Sequence, residues 1–226
     1  MATDTVHYQR VWDRRLDELH PSDRPCEPLY LRGEPDRLRA ALARPTVAIV
    51  GARACSSYGA QVARRLAAEF AAAGVTVVSG LARGIDGEAH RGSLEAGGYT
   101  VAVLGCGIDR DYPAAHAELA RRIARSGAVV SEYQPGVEPA PWRFPARNRI
   151  IAALADVIVV VEARERSGAL ITVDLAMEIG RPIYAIPGEV SSTLSESTNQ
   201  LIRHRHATLI TSAADVLADI ETKELI

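Results

Sequence analysis

The chain has 226 residues, of which 47% are hydrophobic and 24% are charged. These values are typical of a globular protein with a sizeable core, and they exclude a disordered chain, a collagen-like fibre or a small disulfide-stapled scaffold. Lysine and arginine number 26 and aspartate and glutamate 28, which gives a formal charge of −2. The overall charge therefore does not indicate a nucleic-acid-binding protein.

The cysteines and the apolar runs indicate the cellular compartment of the protein. Cys26, Cys55 and Cys106 form no C-x-x-C pair and do not have the spacing of a zinc site, which is typical of a reducing environment. The N-terminus lacks the apolar core of a secretory signal. No apolar run approaches the roughly 18 residues that a membrane helix needs. The sequence therefore predicts a soluble cytoplasmic protein without a membrane partner.

Residues 1–44 differ from the rest of the chain because they are rich in charge and carry prolines at positions 21, 25, 28 and 35. We expect one short amphipathic helix around Val6–Leu19, followed by an irregular arm. The segment is too short and too polar to build a core alone. It is predicted to pack against a main domain formed by residues 45–226.

From Pro45 onward, short apolar runs rich in β-branched residues alternate with helical patterns. Such an alternation predicts a doubly wound α/β fold, with a mainly parallel sheet and helices on both faces. The predicted strands are Thr46–Val50, Val75–Ser79, Thr100–Leu104, Ala128–Ser131, Val157–Val161 and Pro182–Ile186. The predicted helices are Ala60–Ala73, Ile85–Ala96, Ala114–Ser126, Asn148–Ala155, Ala169–Ile179 and a final helix, Ser212–Ile220, capped by Ser212 or Thr211.

The turn after the first of these strands reads VAIVGARACSSYGA, residues 47–60. Gly51 lets the chain turn, Arg53 is placed for a phosphate, and Ser56 and Ser57 precede a helix whose free N–H groups suit an anion. The turn has neither the G-x-G-x-x-G spacing of a dinucleotide site nor a Walker A lysine. The pattern therefore disfavours NAD and ATP chemistry.

The second turn, SGLARGIDGEAHRGSL at residues 79–94, adds Gly80, Arg83 and Gly84 to the same edge of the sheet. Asp86 and His90 lie four residues apart on one helical face, so they could pair with each other or jointly hold a metal. No third ligand lies close in sequence, and the pairing of a helix-start carboxylate with a helical histidine is the favoured interpretation.

The third segment, PWRFPARNRIIAALA at residues 141–155, combines aromatic and basic side chains. Residues 121–149 hold six arginines and two glutamates, a local balance of +4. Aromatic faces stack on unpaired bases and arginines follow the phosphate backbone, so the segment favours single-stranded nucleic acid. The candidate binding residues are Arg143, Phe144, Arg147, Asn148 and Arg149.

The fourth turn places Ser167, Gly168 and Thr172 after a strand and at a helix start, where they suit a phosphate. No G-x-S-x-G motif is present, and the strand-end carboxylates Glu132 and Glu162 are isolated in sequence. We therefore predict no catalytic residue, no metal and no cofactor.

Together, these segments resemble the DNA-processing protein A (DprA/Smf) family from about Glu27 to Leu209. The resemblance depends on an ordered series of motifs, which is far more specific than any one of them. They are EPLYLRG at 27–33, VAIVGARACSSYG at 47–59, VSGLARGIDGEAH at 78–90, TVAVLGCGIDRDYP at 100–113, SEY at 131–133, FPARNRII at 144–151, SGALIT at 167–172 and GRPIYAIPG at 180–188.

The resemblance implies an extended Rossmann-like core that binds single-stranded DNA, forms homodimers and delivers the strand to the recombinase RecA in natural transformation. No catalytic activity is established for the family. By position, it carries a DNA-binding role onto the glycine–x–arginine turn, the second loop and the FPxRN segment. These comprise Gly51, Arg53, Ser57, Gly80, Arg83, Gly84, Phe144, Arg147, Asn148 and Arg149.

This chain departs from the family pattern in several places. Family members often have a lysine just before the phenylalanine, where this chain has Trp142 and Arg143. Ser197 and His206 stand where the family usually has glycine, which affects a loop near the expected dimer surface. With about 44 residues before the core and 17 after Leu209, we expect this chain to lack the winged helix that many members carry and to have little room for their N-terminal helical domain.

Two other classes use the same crevice in related folds: nucleotide sensors and hydrolases of nucleoside monophosphates. Such hydrolases are similar to one another in having a P-G-G-x-G-T-x-x-E motif, whose glutamate is catalytic. The comparable segment here, residues 167–175, lacks both the glycine run and the glutamate. Hydrolysis is therefore disfavoured, whereas binding of a free nucleotide stays open as the alternative.

Overall fold

The computed structural model describes residues 8–18 and 27–223, and the side chains as far as residue 220. One mixed sheet runs through these residues. Its strands are β1 (Gln9–Val11), β2 (Leu29–Gly33), β3 (Thr46–Val50), β4 (Thr76–Ser79), β5 (Thr100–Leu104), β6 (Ala128–Ser131), β7 (Val157–Val160), β8 (Ile183–Ala185) and β9 (Thr208–Leu209). The helices are α1 (Pro35–Leu42), α2 (Ser57–Ala72), α3 (Ile85–Glu95), α4 (Ala117–Ser126), α5 (Arg143–Leu154), α6 (Gly168–Glu178), α7 (Glu196–Arg203) and α8 (Ala213–Lys223).

The strand order is β1-β2-β6-β5-β4-β3-β7-β8-β9. The first two pairings are antiparallel and all pairings from β6 to β9 are parallel. The chain moves outward from β3 in one direction through β4 to β6, and then in the other direction from β7. The gap between β3 and β7 is therefore the topological switch point, where doubly wound folds bind their ligands beyond the carboxyl ends of the strands.

The sheet is buried on both faces because β3 alternates its side chains between two apolar clusters. Ala48 and Val50 pack with residues of α5 and α6, whereas Val47 and Ile49 pack with residues of α2 and α8. A third cluster joins α4 to the strands β5 and β6. This two-sided burial produces the near-continuous apolar runs in the sequence, and it confirms the predicted fold class.

The predicted helix around Val6–Leu19 is wrong. Within the described part of this segment, β1 pairs with β2, and residues Arg14–Glu18 form a short 3-10 helix. The side chain of Arg15 explains the change, because it reaches the sheet and donates hydrogen bonds to Thr46 Oγ1 at 3.0 Å and Leu154 O at 2.9 Å. The arm that was expected to be irregular also contributes β2 and α1, with Leu29, Leu31 and Leu38 in the core.

Other differences concern the carboxyl half. Helix α5 begins at Arg143, five residues before the predicted start, because Pro145 lies in its first turn, where proline is tolerated. Helix α7 was not predicted, and Ser197 is buried within it. Ser212 directly precedes the final helix, and Asp215 in its first turn accepts from the N–H groups of Thr211 and Ser212 at 2.8 and 3.0 Å.

Candidate functional site

A cavity of about 550 Å³ opens at the switch point, and every loop that follows β3, β4, β5, β6, β7 and β8 contributes to it. Eight of the fifteen residues predicted from the sequence line this cavity: Gly51, Arg53, Phe144, Arg147, Asn148, Ser167, Gly168 and Thr172. Predicted residues from three separate sequence segments therefore meet at one place. Convergence of this kind is what the position of the carboxyl ends in a parallel sheet predicts.

The loop after β3 is closely packed against its neighbours. A Cβ on Gly51 would lie 2.7 Å from Ile85 Cγ1 and 2.8 Å from Glu162 O, so the position requires glycine. Arg53 follows on the exposed side of the loop, with its guanidinium 5.3 Å from the centre of the Phe144 ring. Within the described part of the chain, that guanidinium forms no hydrogen bond and no ion pair, so its donors are available to a ligand.

An aromatic wall closes one side of the cavity. Phe144 stacks on Tyr112 with ring centroids 5.3 Å apart and an angle of 25° between the planes. Gly105 allows this arrangement, because a Cβ there would lie 2.8 Å from Phe144 Cδ1. Tyr112 is 42% exposed, so the stack presents an aromatic surface to solvent at the mouth of the cavity.

The loop after β4 packs against the loop after β3. Gly84 has a φ of +73°, and a Cβ there would lie 2.2 Å from Ala52 O. The two glycine-containing loops are therefore in direct backbone contact. Gly80 lies behind the cavity against Arg147, and Arg83 is exposed next to the lining without forming part of it.

The floor of the cavity is built on Arg147. This arginine is 4% exposed and donates to Gly80 O at 2.6 Å and to Val103 O, which ties the ends of β4 and β5 together. Burial lowers its pKa to about 10, partly offset by the neighbouring Asp86 carboxylate. Asn148 Nδ2 donates to Gly168 O at 3.0 Å and so joins α5 to the start of α6. The structure thus gives both residues a scaffolding role in addition to their place in the lining.

The first turn of α6 is the helix start that is open to the cavity. Ser167 precedes it, and its hydroxyl makes no capping bond and has no hydrogen-bond partner among the described residues. Arg164 lines the same side of the cavity, is exposed and forms no ion pair with any described residue. The free N–H groups of a helix start, a free hydroxyl and a free guanidinium together suit an anionic group.

The first turn of α2, by contrast, is occupied by the protein itself. Glu162 is buried and accepts from Ser56 N at 2.9 Å and from the Ser56 hydroxyl, while Gly59 N donates to Ser56 Oγ at 3.0 Å. Ser56 is therefore the cap of α2, and Ser57 is exposed outside the lining. The expectation that this helix start faces a ligand is corrected, because the isolated carboxylate of the sequence is its partner.

Arg149 and Arg143 also lie away from the cavity lining. Arg149 is buried in a salt bridge with Glu132, so neither group is isolated, and the pair anchors α5 to the end of β6. Arg143 lies between two aromatic rings, with its guanidinium 4.7 Å from the Trp142 ring and 5.2 Å from the Tyr133 ring. The structure thus does not bring either arginine into contact with the cavity.

Asp86 and His90 point to different environments. Asp86 lines the cavity, accepts from Ala82 N at 3.3 Å, and has its pKa raised by burial against the opposing effect of Arg147. His90 is buried with Nδ1 2.7 Å from Thr100 Oγ1. Because that hydroxyl already donates to Val77 O, His90 Nδ1 is the donor, and Nε2 has no partner in the described part of the chain. Neither the pairing nor a shared metal site is formed.

The buried His90 predicts that the stability of the folded protein depends on pH. Burial lowers its pKa from 6.5 to about 3. Below pH 6.5 the unfolded chain binds a proton there and the native state does not, so stability falls as the pH falls. Between pH 7.5 and 5.0 this histidine is expected to cost about 2 kcal/mol of unfolding free energy.

Urea unfolding at both pH values checks this. His90→Asn keeps a donor for Thr100, and its unfolding free energy should drop about 2 kcal/mol less than that of the parent over this range. His204→Asn, which changes an exposed histidine, should behave like the parent. Equal pH dependence in the parent and His90→Asn would contradict the assignment.

Among the polar and aromatic side chains that line the cavity, sequence reasoning missed three: Tyr112, Arg164 and, in this role, Asp86. Tyr112 and Arg164 follow the ends of β5 and β7, so their position after a parallel strand was the signal available. The described residues contain no group of three or more histidine, cysteine, aspartate or glutamate side chains placed to hold a metal. Within the same residues, no helix has the length and apolar character required to cross a membrane.

The fold and the cavity together define a doubly wound α/β protein whose switch-point cavity combines stacked aromatic rings with arginines. The family model for DNA recombination-mediator protein A matches residues 5–221, and the chain belongs to this family. The resemblance found in the sequence is thereby confirmed. The family consists of DNA-processing proteins that act in recombination.

Known relatives are similar in sequence to most of this chain. DNA processing protein DprA of Streptococcus pneumoniae is 45% identical over 93% of this chain and 71% of its own length. The putative DNA processing protein DprA of Mycobacterium tuberculosis is 49% identical over 86% of this chain and 50% of its own length. The chain thus spans about half to 71% of these relatives. A structure reporting the single-stranded DNA binding mode of DNA processing protein A from Helicobacter pylori is 28% identical, with a TM-score of 0.85 and 96% of each chain covered.

Proposed function

We propose that this chain is a non-catalytic cytoplasmic protein that binds single-stranded DNA in the switch-point cavity, protects the strand and loads RecA onto it during natural transformation. The observation that carries the proposal is the stacked pair of Tyr112 and Phe144 in the same cavity as the free guanidiniums of Arg53 and Arg164. Rings that accept bases, beside cations that accept phosphates, are the two parts of a single-strand site.

The charge of the cavity supports this ligand although the whole chain is slightly acidic. Three arginines and one aspartate line it, so three minus one gives a local balance of +2. Arg83 adds a further exposed cation beside it. Because unpaired bases are required for stacking, duplex DNA is a poor fit, and the single-stranded DNA binding of the Helicobacter pylori relative points the same way.

The absence of catalysis is supported by what lines the cavity. The described lining residues include no histidine, cysteine or lysine. Ser167 is the one serine among them, and its hydroxyl has no described partner that could act as a general base. This lining supports a binding role in preference to a catalytic one.

Assembly into a homodimer is part of the proposal. Among the residues that the structure describes, β9 is an edge strand with no partner on its outer side, and Leu209 on it and Met177 beside it are 48% and 41% exposed. Exposed apolar side chains next to an open strand edge suit a second copy of the chain. Transfer of DNA to RecA is supported by the mediator role that the family description states.

The proposal is tested by fluorescence anisotropy with a labelled oligothymidine at two salt concentrations. We expect binding that weakens with salt and that duplex DNA and mononucleotides fail to displace. Displacement or thermal stabilisation by a mononucleotide, without binding of the oligonucleotide, would instead support a nucleotide sensor and overturn the proposal.

Arg53→Ala gives the corresponding electrostatic prediction. The variant should bind oligonucleotides of any sequence more weakly, and the slope of log K against log salt should flatten by about 0.7 to 1, because one phosphate contact is lost. Arg122→Ala, which removes an exposed arginine of α4 outside the cavity, is the matched control and should keep the parental slope. An unchanged slope in Arg53→Ala would remove this residue from the site.

A further inference from the structure

Trp142 is a large aromatic side chain that is not part of the cavity lining. It is 60% exposed, and it lies immediately before α5. Its neighbours in sequence, Pro141 and Phe144, both line the cavity. The indole therefore stands at the start of the helix that carries Phe144 of the aromatic wall.

The position of the indole is fixed by Arg143. The guanidinium lies 4.7 Å from the Trp142 ring centre and 5.2 Å from that of Tyr133, and it donates to Glu138 O. Because the guanidinium is held by two rings and a carbonyl, the motion of both the guanidinium and the indole is restricted. One side of the indole therefore faces the protein, while the exposed surface is presented to solvent.

We propose that Trp142 is a second base-stacking platform, which binds the unpaired base next to the one held at the Phe144–Tyr112 stack. The inference rests on the proposed function and extends its site by one nucleotide. Tryptophan offers the largest π-face of any side chain, and sequence-tolerant proteins bind single strands by stacking successive bases on such faces. Arg143 supplies a cation beside the platform for the intervening phosphate.

A single strand fits this surface better than a protein partner does. Trp142 lies against a guanidinium at the start of the helix that carries Phe144, whereas protein interfaces surround a central tryptophan with well-packed apolar contacts. Arg143 lies against the indole and donates to Glu138 O, and the Glu138 carboxylate is paired with Arg110 at 2.7 Å. The surface thus suits an anionic chain with exposed rings.

The chain offers a direct spectroscopic test because it contains two tryptophans, Trp12 and Trp142. Trp12 is 43% exposed but lies at the opposite edge of the sheet, near the start of β3 and β7. In a Trp12→Phe background the fluorescence reports on Trp142 alone. Titration with oligothymidines of increasing length is expected to quench this fluorescence only once the strand is long enough to extend beyond the cavity.

Affinity provides the second measurement. Trp142→Ala should bind the longer oligothymidines about tenfold more weakly, and the shortest that fill the cavity as tightly as the parent. Trp142→Phe should retain most of the affinity, and Trp12→Ala all of it. Because Trp142 is exposed, its variants are expected to keep the parental unfolding curve.

The outcomes separate this inference from the proposed function. If the parent binds oligothymidine but Trp142→Ala binds every length equally well and the fluorescence does not change, the platform is overturned and the cavity proposal stands. If the parent binds no oligothymidine, both fail. The platform would also be overturned if a protein partner quenched the Trp142 fluorescence and DNA did not.

Discussion

Glu132→Ala is expected to lower the free energy of unfolding by about 3–5 kcal/mol, measured by urea denaturation at neutral pH. The carboxylate and its partner Arg149 are almost completely buried, with side-chain exposures of 3% and 6%. Removing one partner leaves an uncompensated charge inside the protein. The pair also fixes α5 against the end of β6, so the loss acts on the helix that carries Phe144.

The double variant Glu132→Leu/Arg149→Met removes both charges and should recover much of the lost stability, because no unpaired ion remains. A surface pair provides the matched control. Glu118 and Arg121 are 66% and 54% exposed, and Glu118→Ala should change the unfolding free energy by less than about 1 kcal/mol. If Glu132→Ala were as mild as this control, the pair would not be the anchor described.

Phe144→Ala is expected to weaken binding of oligothymidine by about 2 kcal/mol, close to thirtyfold, with little change in the salt slope. The substitution removes the ring that packs against Tyr112 and Arg53 and that we propose stacks on a base. Because no charge is lost, the effect differs from that of Arg53→Ala, which changes the slope.

Tyr58→Ala is the control for a loss of aromatic surface. Tyr58 is 50% exposed on α2, and its hydroxyl donates to Pro187 O outside the cavity. Its removal should leave the affinity unchanged, and Phe144→Tyr should preserve most of it. Parental affinity in Phe144→Ala, in a protein that remains folded, would exclude the aromatic wall as the base site.

The parallel core could be predicted from sequence because its strands are buried on both faces and therefore read as uninterrupted apolar runs. The strands β1, β2 and β9 could not, since they are short, lie toward the edges of the sheet and depend on a partner strand distant in sequence. Helix α7 was hidden by its polar residues, among which Ser197 is buried by tertiary packing.

The candidate site was predictable only in part, for a physical reason that Arg147 and Arg149 illustrate. Both belong to the same basic segment, yet one forms the floor of the cavity and the other is buried against Glu132. The sequence shows that an arginine is present but not which way a helix turns it. Ser56 differs from Ser167 in the same way, because the partner of the first, Glu162, is 106 residues away.

The central claim, that single-stranded DNA lies on the aromatic wall at the carboxyl edge of the sheet, is tested most directly by photocrosslinking. An oligothymidine that carries 5-iododeoxyuridine is bound, irradiated and mapped by mass spectrometry. We expect crosslinks to Tyr112, Phe144 and Trp142. Crosslinks confined to Trp12, at the amino edge, or to Tyr58 would contradict it.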